Sequence, residues 1–199
     1  MRTFALILAM CLFSNSPAFA QFEDLKQTIN ALILDHSKDF EKKYLNIPER
    51  ALGGIESTDF SFADRFKLEA REKRTDNLDR NRRFDYFFNI YGYDDIDDLN
   101  YAMKDWLQDF IEGESIRPGR EIRTMDDAVP TIIVINKNKK TISILSFDCN
   151  QYFYEEFKDW REKMLTYFGD PESVIIEIGC DGPLKWTKNP PDPKDRTWR

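Results

Sequence analysis

The stretch from Pro130 to Cys180 constrains the fold more than any other, because it alone reads as a complete run of strand, turn, strand, helix and strand. TIIVI (Thr131 to Ile135) is β-branched, NKNKK (Asn136 to Lys140) is polar, and TISILSF (Thr141 to Phe147) is apolar again, which predicts a β-hairpin. Phe153, Phe157, Trp160, Met164 and Phe168 then recur every three or four positions, with Asp148 or Asn150 as cap and Gly169-Asp170-Pro171 as stop. SVIIEI (Ser173 to Ile178) is too apolar for an exposed strand and, if the helix is a right-handed β-α-β crossover, returns parallel to its predecessor. Each of these last two strands ends in a cysteine, Cys149 and Cys180, which the crossover would set side by side.

The compartment follows from the first residues. MRTFALILAMCLFSNSPAFA carries Arg2, an apolar core from Phe4 to Phe13 and the small-residue pattern Ala18-Phe19-Ala20, which predicts a signal peptide over residues 1–20 and a mature chain from Gln21. Met10 disfavours a lipoprotein signal at Cys11. The product is periplasmic or secreted, and no other apolar run is long enough for stable membrane insertion after cleavage. Losing Cys11 leaves two cysteines where disulfides are permitted. A Cys149–Cys180 bond would close a loop of about thirty residues, worth roughly 3 to 4 kcal/mol by chain entropy. The spacing lacks Cys-x-x-Cys, and His36 is the one histidine, poor material for a zinc site. The formal net charge of −7 disfavours nucleic acid as a partner.

Residues 21–187 read as one globular domain. Phe22, Leu25, Ile29, Leu32, Ile33, His36, Phe40 and Tyr44 predict an amphipathic helix from Phe22 to Leu45, ended by Pro48. Gly53-Gly54 marks a turn. Asp59 to Leu68 is ambiguous between a bulged strand, with Phe60 and Phe62 out of register with Phe66 and Leu68, and a helix from Ser61. Arg71 to Arg83 (REKRTDNLDRNRR) reads as a solvated loop or exposed turn. Phe84 to Tyr91 is a central strand, and Leu99, Met103, Trp106 and Phe110 lie on a second amphipathic helix that ends at Gly113. Ile116 to Val129 is irregular, Leu184 to Thr187 adds a short edge strand, and the proline-rich stretch 188–199 is a mobile tail. The class is α+β (or α/β): a mixed β-sheet with amphipathic helices packed on it.

AVPTIIVINKNKKTISIL (Ala128 to Leu145) resembles the segment after the cis-proline in the thioredoxin-like fold, with Pro130 in that role. The resemblance covers under a tenth of the chain and implies a thioredoxin-like domain lacking the redox motif. Where that family carries Cys-x-x-Cys, this sequence has Asp94 to Asp98, and the strand Ser173 to Ile178 is not usual there.

Three stretches carry candidate chemistry. Asp94, Asp95, Asp97 and Asp98, at a strand-to-helix junction, could hold Ca²⁺ through carboxylate oxygens, although their spacing is not that of an EF-hand; Asp97 or Asp98 also suits helix capping. The basic run Arg71, Lys73, Arg74, Arg80, Arg82 and Arg83 is broken by Glu69, Glu72, Asp76 and Asp79, which favours a balanced surface over an anion grip. GCDGPLKW (Gly179 to Trp186) lies just past a strand end, where ligand crevices form, and offers Asp181, Lys185 and Trp186 as polar and stacking contacts. No Gly-x-Ser-x-Gly elbow is present. The reading is an exported non-enzymatic binding protein, without cofactor, acting on another protein or a cell-envelope component, an inhibitor or immunity-type protein for instance. The alternative is a carboxylate-dependent, Ca²⁺-assisted hydrolase of the envelope.

Overall fold

The structure, a computed structural model, describes residues 17–45, 60–110 and 128–189, with the side chains of all but 17–21 and 105–110. The leader's apolar run, Gly53-Gly54, the end of the second helix, Pro118-Gly119 and residues 190–199 lie outside these. The fold is α+β. The elements are α1 (Pro17–His36), β1 (Phe40–Tyr44), β2 (Phe62–Thr75), β3 (Asn81–Gly92), α2 (Ile96–Phe110), β4 (Thr131–Asn136), β5 (Thr141–Ser146), α3 (Tyr154–Phe168), β6 (Val174–Ile178) and β7 (Leu184–Lys188). The strands form one seven-stranded sheet in the order β1-β2-β3-β5-β4-β6-β7, and every neighbouring pair is antiparallel.

The β4–β5 hairpin, α3 and the return strand β6 are where the sequence places them, except that Phe153 is the N-cap residue of α3 rather than part of its stripe, and Asp148 caps the preceding 3-10 turn instead of α3. The pairing of β6 differs. It runs in the same direction as β5, as a crossover requires, but β4 lies between them and bonds antiparallel to both, with Ile133 opposite Ile144 on one side and Ile176 on the other. Among the described residues no adjacent parallel pair forms, so the sheet is antiparallel rather than mixed. All six residues of β4 and of β5 are buried, consistent with central strands covered on both faces.

Strand alternation sends two chemically different layers to the two faces. On one, Phe66, Phe84, Tyr86, Phe88 and Phe147 meet Leu25, Ile29 and Leu32 of α1 and Phe157, Trp160, Met164 and Phe168 of α3. On the other, Ile133, Ile135, Ile142, Ile144, Ile176 and Ile178 meet Leu99, Ala102 and Met103 of α2.

Three segments depart from expectation. The first helix stops at His36, and Phe40 and Tyr44 belong to an edge strand paired with β2. Phe40 still reaches the aromatic core, edge-on to Tyr86, which is why helical spacing fitted it. From Phe62 to Leu68 the strand carries no bulge: Phe62, Phe66, Leu68 and Ala70 keep one parity, and the register shift comes later, between Glu69 and Lys73. The charged stretch 71–83 is strand as well, since β2 and β3 run on past the core and turn at 76–80. The buried Asp76 carboxylate makes that turn by accepting from Leu78 N and Arg80 N (2.9 and 3.0 Å) while Arg80 Nη2 lies 2.8 Å from its second oxygen. Lys188 and Asn189 are not tail. Lys188 ends β7, and the Asn189 amide donates to the Pro171 and Ser173 carbonyls.

Candidate functional site

The disulfide, a 3-10 turn and a tight turn meet at the end of the sheet where β5 and β6 finish. After β5, Asp148 caps a single 3-10 turn, Cys149–Gln151, by accepting from Asn150 N at 2.8 Å. The turn is tied to the β2–β3 hairpin: Asn77 donates from its backbone to Asn150 O and from Nδ2 to Tyr152 O, each at 2.9 Å, and Asp85 N donates to Gln151 Oε1 at 2.8 Å. α3 starts two residues later. Its first-turn Glu156 is held by both guanidinium nitrogens of Arg74 at 2.8 Å and by the Tyr86 hydroxyl. Burial, with the Glu156 charge beside it, drives the Tyr86 phenol far up, so it stays a neutral donor.

β6 ends in the tight turn Gly179–Pro183. Gly179 N donates to Pro183 O at 3.1 Å, and a Cβ on Gly179 would stand 2.6 Å from the Gly182 carbonyl oxygen. Gly182 sits at φ 95°, a backbone conformation side chains oppose, so both glycines are required as glycine. Cys149 and Cys180 meet here as a disulfide pair with Cα atoms 5.5 Å apart. Since β4 separates their strands, the bond passes across the start of β4, where Asp181 N donates to Ala128 O at 2.8 Å. The cysteines come together for a different reason from the one the sequence suggests: the segments after β5 and β6 overshoot the sheet and close over β4, the strand between them.

Between α3 and this turn lies an open cleft of about 360 Å³. One wall is Tyr152, Tyr154, Phe157, Lys158 and Arg161; the other is Glu177, Ile178, Gly179, Pro183 and Lys185. Arg161 Nε lies 3.0 Å from Glu177 Oε1 and spans the walls, while its Nη1 donates to Glu162 at 2.7 Å. Lys158 Nζ stands 5.1 Å from the centre of the Tyr154 ring. Burial, and then Tyr154 and Glu177, raise the Tyr152 phenol, which keeps it protonated as a donor. Aromatic faces, cationic tips and one carboxylate are groups for recognition through stacking, cation–π contact and hydrogen bonds.

The predicted site residues are divided by this geometry. Lys185 lines the cleft. Asp181 belongs to the turn and is not in the lining, and Trp186, one position on from Lys185, packs into the aliphatic layer on the opposite face. Asp94, Asp95, Asp97 and Asp98 are all exposed at the start of α2. Asp95 is the cap, accepting from Asp97 N at 2.8 Å, and Asp94 accepts from Ser61 Oγ at 2.6 Å. They do not converge: among the described residues no group of three or more His, Cys, Asp or Glu side chains is placed to hold a metal ion. The basic run is distributed over ion pairs with Asp76, Asp148, Glu156 and Glu69. His36 donates from Nδ1 to the Leu32 carbonyl at 2.9 Å and stacks on Trp160, as a half-buried structural histidine does. Val129–Pro130 is not the cis bond the thioredoxin-like resemblance implies; the cis peptide among the described residues is Gly182–Pro183. Sequence reading missed Tyr152, which precedes α3 and packs edge-on to Phe157, and Tyr154, Lys158 and Arg161 of α3; the aromatic residues just before Phe157 were the available signal.

No known protein family matches the chain, and no match is found among curated proteins or solved structures. Fold and cleft together define a class: an α+β protein on one seven-stranded antiparallel sheet, closed at one end by a disulfide. Among the described residues no helix is long and apolar enough to cross a membrane.

Proposed function

We propose that this is an exported, non-enzymatic binding protein, periplasmic or secreted, that takes a protein or cell-envelope partner at the cleft beside α3. Export rests on the leader sequence of residues 1–20. The binding reading rests on one observation. Large apolar side chains stand out to solvent around the cleft, with Tyr154 62% and Phe153 37% exposed and Leu78 58% exposed on the hairpin turn docked beside them. Exposed rings on a well-anchored surface are what interfaces commonly use as anchors, because they bring large contact area at small entropy cost. The neighbouring cations and Glu177 would set orientation more than affinity.

A photo-crosslinking amino acid at position 154 of the mature protein, exposed to envelope extract, tests this. One discrete adduct is expected, lost on Lys185→Glu and absent when the crosslinker replaces Leu34, which is equally solvent-facing at 71% exposure on α1. Equal labelling from both positions, or no adduct together with hydrolysis of a glycan or peptide panel, overturns the proposal.

A further inference from the structure

We propose that the Cys149–Cys180 disulfide fastens one lip of the cleft, so that a dithiol reductant loosens the turn Gly179–Pro183 while the α3 wall and the sheet keep their places. Its functional meaning rests on the binding reading above; its structural content does not.

The two walls are held by different means. The α3 wall is anchored apart from the disulfide, by Asn77 to Asn150 O and Tyr152 O (2.9 Å each), by Asp85 N to Gln151 Oε1 (2.8 Å), and by the Arg74–Glu156 pair (2.8 Å). The opposing turn bonds chiefly to itself, through Gly179 N to Pro183 O (3.1 Å) and Gly182 N to Gly179 O (3.3 Å). Among the described residues, its backbone tie to the rest of the sheet is Asp181 N to Ala128 O, at 2.8 Å. β7, which follows, is a five-residue edge strand with a register shift against β6, yet Leu184 is fully buried, so loosening stops there. Removing the covalent tie therefore acts on the side that, among the described residues, has fewer other bonds to hold it.

Both cysteines are half-buried, within reach of a small reductant. In the exchange the reductant's thiolate attacks one sulfur and the S–S bond breaks. A mixed disulfide then resolves, Cys149 and Cys180 leave as thiols with two protons, and the two-electron donor becomes a disulfide. Cys149 Sγ already lies 3.6 Å from Ala128 O and can donate to it once protonated, which keeps the α3 side satisfied.

Residue-resolved hydrogen exchange on the mature protein alone, oxidised and reduced, tests the asymmetry, with intact mass confirming the gain of two hydrogen atoms. Reduction should speed exchange at Gly179, Asp181 and Gly182 by about tenfold or more, while Asn77, Asp85 and Tyr152 stay unchanged. The double variant Cys149→Ser/Cys180→Ser should match reduced wild type; should it fail to fold, the reduced protein gives the reading. Unchanged rates in the turn overturn the proposal, as does equal acceleration through Tyr152 and the β4–β5 amides, or loss of the fold on reduction, either of which makes the bond a global staple. Because no partner is present, this outcome is independent of whether crosslinking at position 154 succeeds.

Discussion

The two faces of the sheet solve the same burial problem in opposite ways. Under α1 and α3, rings gather around one side chain: Trp160 lies 4.7 Å from Tyr86, 5.5 Å from His36, 5.7 Å from Phe40 and 5.8 Å from Phe88, centroid to centroid. Under α2, isoleucines from β4, β5 and β6 pack across strands in rows, as with Ile133 between Ile144 and Ile176. The lesson is that an aromatic layer concentrates cohesion in a hub, whereas an aliphatic layer spreads it along ladders. Rings also carry polar edges that need partners, and Tyr86 finds Glu156 on the helix above it.

The sharpest way to break this contrast is to delete the hub. Trp160→Ala should cost about 4 kcal/mol by urea denaturation and Ile144→Ala about 3, so an equal or larger loss at Ile144 would sink the distinction. Next is the tie that locks α3 over the aromatic face. Glu156→Gln keeps the shape but removes the charge opposite Arg74, and should cost about 1.5 kcal/mol; an unchanged urea midpoint would show that burial of Trp160 alone seats the helix. On the aliphatic side, Asp95→Ala strips the α2 cap and should cost about 1 kcal/mol, with faster amide exchange confined to the first turn of α2. The smallest effect concerns the α1–α3 contact, where the Tyr167 hydroxyl donates to Asp35 Oδ2 at 2.7 Å. Burial, and then that carboxylate, push Tyr167 up to about 12 from 10.0. A raised acid group stabilises the fold below its unfolded value and ceases to as it ionises. Stability from this contact is thus complete below pH 10.0 and lost as pH climbs through about 12. Tyr167→Phe should flatten that alkaline slope while costing under about 1 kcal/mol at pH 7.

The elements most legible in the sequence are those whose period matches one local rule: the β4–β5 pair, the apolar stripe of α3, and β6. The break after His36 was hidden because Phe40 and Tyr44 continue a helical spacing, although only Phe40 reaches the core, from an edge strand, while Tyr44 stands exposed. The strand character of 71–83 was hidden because its charges meet ionic partners rather than water alone, as with Arg74 on Glu156 and Arg82 on Asp148. The neighbour of β6 could not be read from local pattern, since β4 and β5 are equally apolar and either could lie beside it. At the cleft, Lys185 and Trp186 were read as one site, whereas the alternation of β7 sends them to opposite faces of the sheet. The aromatic and basic residues on and just before α3 became a wall only once the turn after β6 was placed opposite.

The strand order carries a consequence for synthesis. β3 pairs with β5, yet β4, which occupies the slot beyond, leaves the ribosome or translocon first. Until Thr141–Ser146 arrives, the inner border of the β1–β2–β3 meander stays unzipped, displaying the apolar side chains of Phe88 and Ile90 and unpaired amides. A nascent chain of this design thus spends its most adhesive interval half-built, when a holdase has most to protect.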